Sequence, residues 1–311
     1  MGIVVGEHEL LVSATAAELP PAVAAAVTVT RLEDSPPGET GVVSADGVEW
    51  ATRTWGPPSD PPLLLVHGVT SDTGTFWRLG PALAAAGWRA VAIDLPGHGA
   101  TRPWRGHHRL AETAAELASF VEAAGLAVPE LAVLGHSWGG MVVARLPGAG
   151  IRPRTLILLD PPHLTLDELR ALTEEGSEQL YPSVDEAREA VRADYPLWTE
   201  GDVDAKAIGL TRFSPEAVRA VLLENGPWDA GLAALEDPAA AAIPTWYIRG
   251  EWQTGGMIPD DAVARLAARV GRDHVLTIVG GSHSPHRMNP EATVFAILRA
   301  LEASGPRLAR A

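Results

Sequence analysis

Three short segments of this 311-residue chain carry side chains able to do nucleophilic chemistry. The first is Gly135-His136-Ser137-Trp138-Gly139. It follows the apolar run Leu131-Ala132-Val133-Leu134 and opens onto Gly140-Met141-Val142-Val143-Ala144. That order reads as a strand, a very tight turn and a helix. Glycines two residues before and two after the serine let strand and helix approach closely. The hydroxyl then stands at the apex of the turn, beside a helix N-terminus that stabilises developing negative charge. A serine hydroxyl is a weak nucleophile until a base takes its proton.

The second segment supplies that base. His274-Val275-Leu276-Thr277-Ile278-Val279 reads as a late strand and runs into Gly280-Gly281-Ser282-His283-Ser284-Pro285-His286. His283 lies just past the strand end on a Gly-rich loop that can reach across to Ser137. His286 competes for the role, but its place one loop turn on, beside Arg287, suits a surface or pocket-wall residue better. The third segment supplies donors for a carbonyl oxygen that becomes an oxyanion. Strand Leu63-Leu64-Leu65-Val66 ends in His67-Gly68-Val69-Thr70. Gly68 permits a tight backbone path, and the N–H of Val69 is the expected partner to the N–H of Trp138.

Together with Phe76-Trp77 and Asp94-Leu95-Pro96-Gly97-His98-Gly99, these segments resemble an α/β-hydrolase of the small esterase, lactonase and haloperoxidase-like kind. They come in that family's order over residues 62 to 303. The resemblance implies Ser137 as nucleophile, His283 as base and no cofactor. It also shows a departure. Relatives carry an aspartate shortly after the seventh strand, in a stretch like G-x-x-D. Here Thr245-Trp246-Tyr247-Ile248-Arg249 is followed by Gly250-Glu251-Trp252-Gln253-Thr254-Gly255-Gly256-Met257-Ile258-Pro259, without an aspartate. Gln253 stands in that neighbourhood and cannot carry the charge that stabilises an imidazolium. Two acids remain. Asp160 ends the preceding strand, Thr155-Leu156-Ile157-Leu158-Leu159, where a subset of the family places its acid. Glu251 is the alternative, one residue past Gly250 with a longer arm.

These residues need a scaffold. From Pro62 onward short apolar runs alternate with helical patterns, which implies a parallel, twisted sheet with helices on both faces. Trp88 to Asp94 reads as a strand and Leu110 to Ala124 as a helix. Val27 to Leu32 and Gly41 to Trp55 alternate as antiparallel strands do, with Asp46-Gly47 as a hairpin turn. Residues 1–26 read as an extension, and 27–162 with 241–311 as the α/β core. Between them, 163–240 break the alternation with helical patterns at Leu164 to Glu175, Val184 to Tyr195, Asp204 to Leu210 and Pro215 to Leu223. This stretch resembles the family's helical cap, carrying Tyr181, Tyr195, Trp198, Phe213 and Trp228. Substrate contacts are expected from Gly68, Trp77, Trp104, Met141, Tyr195, Trp198 and Trp228. An aromatic pocket of that kind suits a small, neutral ester or lactone.

The composition excludes other classes. A net charge of −15 repels nucleic acid and anionic membranes. The absence of cysteine removes disulfides and thiol chemistry and fits a reducing compartment. No apolar run approaches the roughly 18 residues of a membrane helix, and no basic leader precedes an apolar stretch, so the cytoplasm is the expected location. No G-x-G-x-x-G follows a strand. His107-His108, adjacent on a predicted helix start, point different ways, so no metal is expected. The reading is a serine hydrolase acting on a small molecule, as monomer or homodimer. Relatives that open epoxides or cleave haloalkanes carry aspartate at the elbow, unlike Ser137. A non-hydrolytic ligand sensor and C–C bond-cleaving or haloperoxidase-like activity are the alternatives.

Overall fold

The computed structural model describes residues 2–101, 109–174 and 179–305. Strands β1 (Ile3–Val5) and β2 (Leu10–Val12) lead into helix α1 (Pro21–Val27). A hairpin follows, β3 (Glu39–Ala45) and β4 (Val48–Trp55), then β5 (Pro62–Val66), α2 (Leu79–Ala85), β6 (Arg89–Ile93), α3 (Leu110–Ala123), β7 (Ala132–His136), α4 (Trp138–Val143) and β8 (Thr155–Leu159). The next elements are β9 (His163–Leu164), α5 (Leu166–Glu174), α6 (Val184–Asp194), α7 (Glu200–Gly209), α8 (Pro215–Leu223), β10 (Trp228–Asp229) and α9 (Pro238–Ala241). The chain returns with β11 (Thr245–Gly250), α10 (Asp260–Val270), β12 (Val275–Ile278), α11 (Pro285–Met288) and α12 (Pro290–Ala303).

Ten strands form one sheet in the order β1-β2-β12-β11-β8-β7-β5-β6-β4-β3. All pairs from β2 to β6 are parallel, and the flanking β1, β4 and β3 run antiparallel to their neighbours. This is the α/β-hydrolase fold. Strands buried on both faces need apolar residues at every position, which is why β5 reads as an unbroken Leu-Leu-Leu-Val. Leu64 and Val66 point to the layer of α3, α4 and α10, while Leu63 and Leu65 point to that of α1, α2 and α12. Asp46 and Gly47, both with positive φ, make the β3–β4 turn.

Two expectations need correction. Residues 27–32 form no strand. Pro21 at the first helical position and the alanines after it start a helix that runs to Val27, whose side chain is buried. The segment beyond is tied elsewhere, with the Thr30 carbonyl accepting from the Gly201 N–H at 2.8 Å. Nor are residues 1–26 an appendage. Leu10 and Val12 of β2 pair with Leu276 and Ile278 of β12, and both side chains are buried. Glu9 accepts from the buried Arg249 guanidinium at 3.2 Å, and Arg249 also holds Asp260, Thr277 and the Ile258 carbonyl.

Residues 163–240 leave the sheet at the carboxyl ends of β8 and return to β11. Ser183, Thr199 and Ser214 cap α6, α7 and α8 through their side-chain oxygens. The pairing of Leu164 with Trp228 closes the base of this insertion, and α7 packs on the loop after β5. Full burial of a Leu or Val side chain contributes about 1.5–3 kcal/mol, so β2 contributes several. Removing residues 2–14 is expected to lower the thermal midpoint by about 10 °C, read by circular dichroism; an unchanged midpoint would restore the appendage.

Candidate active site

β7 delivers Ser137 to the apex of the turn with φ 56° and ψ −129°. A non-glycine residue there costs about 1–3 kcal/mol and persists only where its surroundings impose it. They do. A Cβ at Gly135 would strike the Gly139 carbonyl, one at Gly139 the His67 carbonyl, and one at Gly68 would lie 2.8 Å from the Ser137 Cβ. The Ser137 N–H donates to the Leu159 carbonyl at 2.9 Å, fastening the elbow to β8. Among the described residues five non-glycines have positive φ, and three of them, Thr70, Ser137 and Asp160, lie at this site. Strain is thus concentrated where the functional groups are.

The loop after β12 brings His283 Nε2 to 3.0 Å from Ser137 Oγ. Its other ring nitrogen, Nδ1, lies 2.8 Å from Asp160 Oδ2. Asp160 is fully buried at the end of β8 and also accepts from the Gly250 N–H at 3.0 Å and the Met257 N–H at 2.9 Å. The His283 backbone is held by the Gly255 carbonyl at 3.0 Å and by His136 Nε2, 2.9 Å from the His283 carbonyl. Because a carbonyl only accepts, His136 Nε2 carries the proton of that bond. Ser137, His283 and Asp160 therefore form one continuous hydrogen-bonded chain.

The competing residues lie elsewhere. Glu251 Oε2 accepts from the Gly280 N–H at 3.0 Å, bracing the base of the His283 loop without touching the imidazole. Gln253 is exposed and donates to Asp260. His286 is buried edge-on against His136, with ring centroids 4.7 Å apart, and its Nε2 meets Thr75 Oγ1 at 3.3 Å rather than Ser137.

Val69 lines the cavity in front of Ser137. Trp138 is the first residue of α4, so its N–H points out of the helix N-terminus. Two contacts shape this loop. His67 Nδ1 donates to the Gly68 carbonyl at 2.7 Å while its Nε2 accepts from the Leu95 N–H at 2.9 Å. Lys206 of α7 donates to Thr70 Oγ1 at 2.9 Å and to the Thr70 carbonyl at 3.3 Å.

A model of the alpha/beta hydrolase family matches residues 63–296, well over half of the chain. The chain belongs to that family. This α/β hydrolase is 39% identical over 92 residues to a serine hydrolase-like protein of Danio rerio, covering 29% of this chain and 27% of the relative. It is 34% identical over 134 residues to a bifunctional esterase/perhydrolase of Acinetobacter calcoaceticus, covering 41% and 47%. The matches thus span about a quarter to a half of those relatives' own lengths. Its fold resembles that of an E-2-(acetamidomethylene)succinate hydrolase, with a TM-score of 0.73 at 20% identity over 85% of this chain and 99% of the other.

In this α/β hydrolase a cavity of about 550 Å³ opens over Ser137 and His283. The insertion walls it with Tyr181, Tyr195, Trp198 and Trp228, and Gly68 forms part of its floor. Trp77 and Met141 do not reach it. Trp77 is buried beneath α7 with its Nε1 on Asp202 Oδ1 at 3.1 Å, and Met141 faces the core behind the elbow. The Trp138 side chain is buried, 5.8 Å from the His98 ring, and Phe213 stacks on His98 at 6.5 Å. Trp104 and the His107-His108 pair lie outside the described residues. Among the described residues no cluster of three His, Cys, Asp or Glu could hold a metal, and no helix is long and apolar enough to cross a membrane. The sequence reading overlooked His67, His136, Lys206 and Arg287. Arg287, directly after His286 and itself charged, and Lys206, the one lysine, offered the available signals.

Four buried histidines surround the site. Burial pushes His67 down to about 4 and, with the nearby His67, His98 down to about 3. Burial also holds His136 and His286 well below 6.5, reinforced by the neighbouring His283 for His136 and by His136 and Arg287 for His286. Such groups bind protons more readily unfolded than folded. Their stabilising effect is complete above about 6.5 and is lost as pH falls toward the folded values. For His67 the interval from 6.5 to about 4 amounts to about 3 kcal/mol. Asp72, pushed up to about 6 by burial and the neighbouring Asp94, works the other way between about 6 and 3.8 and offsets part of the loss. The thermal midpoint is expected to fall steadily from pH 7 to pH 4.5. His67→Gln, which does not titrate, should flatten that slope in calorimetry; an unchanged slope would show that His67 already charges in the folded state.

Proposed function

We propose that this chain is a serine hydrolase that cleaves a small carboxylic ester or lactone through an acyl-enzyme. The observation that carries the reading is the continuous chain from Ser137 Oγ through His283 to Asp160 Oδ2. Neutral His283 takes the serine proton through Nε2 as Oγ attacks the carbonyl carbon. Asp160, accepting from Nδ1–H, keeps the imidazole in the tautomer whose Nε2 is free to accept, and then stabilises the imidazolium. The Val69 and Trp138 N–H groups donate to the oxyanion of the tetrahedral intermediate. His283 returns the proton to the leaving alcohol. A water then attacks the acyl carbon with His283 again as base, and Ser137 is released.

The insertion 163–240 acts as a cap in this reading. Its aromatic wall encloses the acyl or alcohol group and keeps bulk water from the reacting carbonyl. Acyl transfer by these groups needs no cofactor. The acidic, cysteine-free composition supports work in the cytoplasm.

Three expected outcomes test the assignment. Ser137→Ala should remove 4-nitrophenyl ester turnover by roughly 10⁴-fold or more, and a fluorophosphonate should label only the unmodified chain. Turnover persisting at a comparable rate in the alanine variant would sink the mechanism. His283→Ala should abolish kcat where His286→Ala mainly raises KM; the reverse ranking would move the base. Asp160→Asn should lower kcat by up to roughly 10⁴-fold with little change in KM. Glu251→Gln should lower it by less than about tenfold, since its contact is with a backbone N–H. A silent Asp160→Asn would leave Ser137 and His283 as a dyad.

A further inference from the structure

Arg287 sits on the short helix after the His283 loop and lines the same cavity as Ser137 and His283. Only 5% of it is exposed. A guanidinium has five N–H donors and stays charged in proteins. Among the described residues one side-chain hydrogen bond is made, from Nη2 to Thr75 Oγ1 at 2.7 Å, and Nε and Nη1 have no partner. Among the described residues no carboxylate forms an ion pair with it. The nearby acid, Asp202, is taken by Arg78, by Thr199 Oγ1 at 2.6 Å and by Trp77 Nε1 at 3.1 Å. Arg78 in turn donates to the Arg287 carbonyl at 3.2 Å. Asp202 therefore pairs with Arg78, and Asp202 and the buried Asp72 act on Arg287 only through space, leaving its guanidinium without an ion pair among the described residues.

An unpaired buried charge is among the most destabilising features a protein can hold. The ring of Trp198, 4.5 Å from the Arg287 guanidinium carbon, offsets a small part of that. The surplus is of donors generally. Trp198 Nε1 and Trp228 Nε1 belong to cavity-wall residues, are buried and have no hydrogen-bond partner among the described residues. Lys206, the one lysine of the chain, lines the cavity as well. Asp194, at the exposed end of α6, is the acid on the insertion side of the cavity. The lining thus carries two cations, Arg287 and Lys206, against one carboxylate, Asp194, although the chain as a whole is strongly acidic.

Resting on the serine-hydrolase reading, we propose that the substrate carries a carboxylate, held by Arg287 while its ester or lactone carbonyl lies at Ser137. A carboxylate is acceptor-only and matches the planar fork of a guanidinium. Nε and Nη1 are sealed from solvent, on one face by Trp198, so a carboxylate reaches either one, together with the second Nη2 proton, when that ring moves aside. Trp198 ends the loop from α6 to α7, where Leu197 is 78% exposed. This replaces the neutral substrate that the aromatic lining suggested from sequence.

The test compares the 4-nitrophenyl monoesters of succinic, glutaric and adipic acids with the chain-matched butanoate, pentanoate and hexanoate, corrected for spontaneous hydrolysis. For the wild-type chain kcat/KM is expected to favour the acid ester by at least about tenfold for at least one length. Arg287→Gln should cut that preference by at least about tenfold, and Arg287→Lys, which keeps the charge without the fork, by less. A wild-type preference for the neutral ester at every length would overturn the proposal, as would an equal loss on both series in Arg287→Gln. If that variant does not fold, the wild-type preference and competitive inhibition by the free diacids decide. If no ester is turned over, the hydrolase reading is what fails. The anion site is then judged by the saturable thermal stabilisation of Ser137→Ala by succinate, glutarate or adipate. Its disappearance with Arg287→Gln supports the site, and its absence from the Ser137→Ala chain refutes it.

Discussion

The arrangement of this molecule turns on one buried carboxylate. Asp160 has no exposed surface, so its oxygens must be satisfied from within the protein. The donors come from three segments: Gly250 at the end of β11, Met257 in the loop beyond, and His283 after β12. A single side chain thereby closes the carboxyl edge of the sheet. It sets how far the His283 loop can reach, and with it the 3.0 Å approach to Ser137. The positive φ values of Asp160 and Ser137 are bearable because the neighbouring strands leave each residue no alternative place.

Much of this was legible in the chain itself. The order of strands and helices from Pro62 onward, the helices of the insertion and the positions of Ser137 and His283 follow from apolar periodicity and glycine placement, which are local. The acid was not local. Whether Asp160 or Glu251 meets the imidazole depends on how the ends of β8 and β11 align and on where the Gly255-Gly256 turn carries the chain. The N-terminal strands were invisible for another reason. Three residues each are too few to display a two-residue period, and β2 is held in place by Arg249, some 240 positions away. Trp77 and Met141 were misjudged because nearness in sequence to a catalytic loop does not say on which side of the backbone a large side chain packs.

Charge is divided sharply between surface and interior. The exterior carries the excess of carboxylates behind a net −15, while the ground around Ser137 holds neutral histidines, Arg287 and Lys206. At physiological ionic strength the outer field fades within about 8 Å, so an anion at the cavity mouth feels mainly the nearby cations. Such a division slows approach and lengthens residence. Burial, reinforced by the neighbouring cations, keeps the buried histidines uncharged.

Because the acid resides on β8, the segment from Glu251 to Pro259 is relieved of supplying a chemical side chain. Its contribution to Asp160 is the Met257 amide, which any residue except proline provides. Apart from Glu251, Gly255, Gly256 and the buried Ile258, that turn can change composition or acquire a contact with another molecule, provided its backbone path is kept. Because Thr254, Gly255 and Met257 of this segment line the cavity, changes at Thr254 and Met257 would reshape its mouth without touching Ser137, His283 or Asp160.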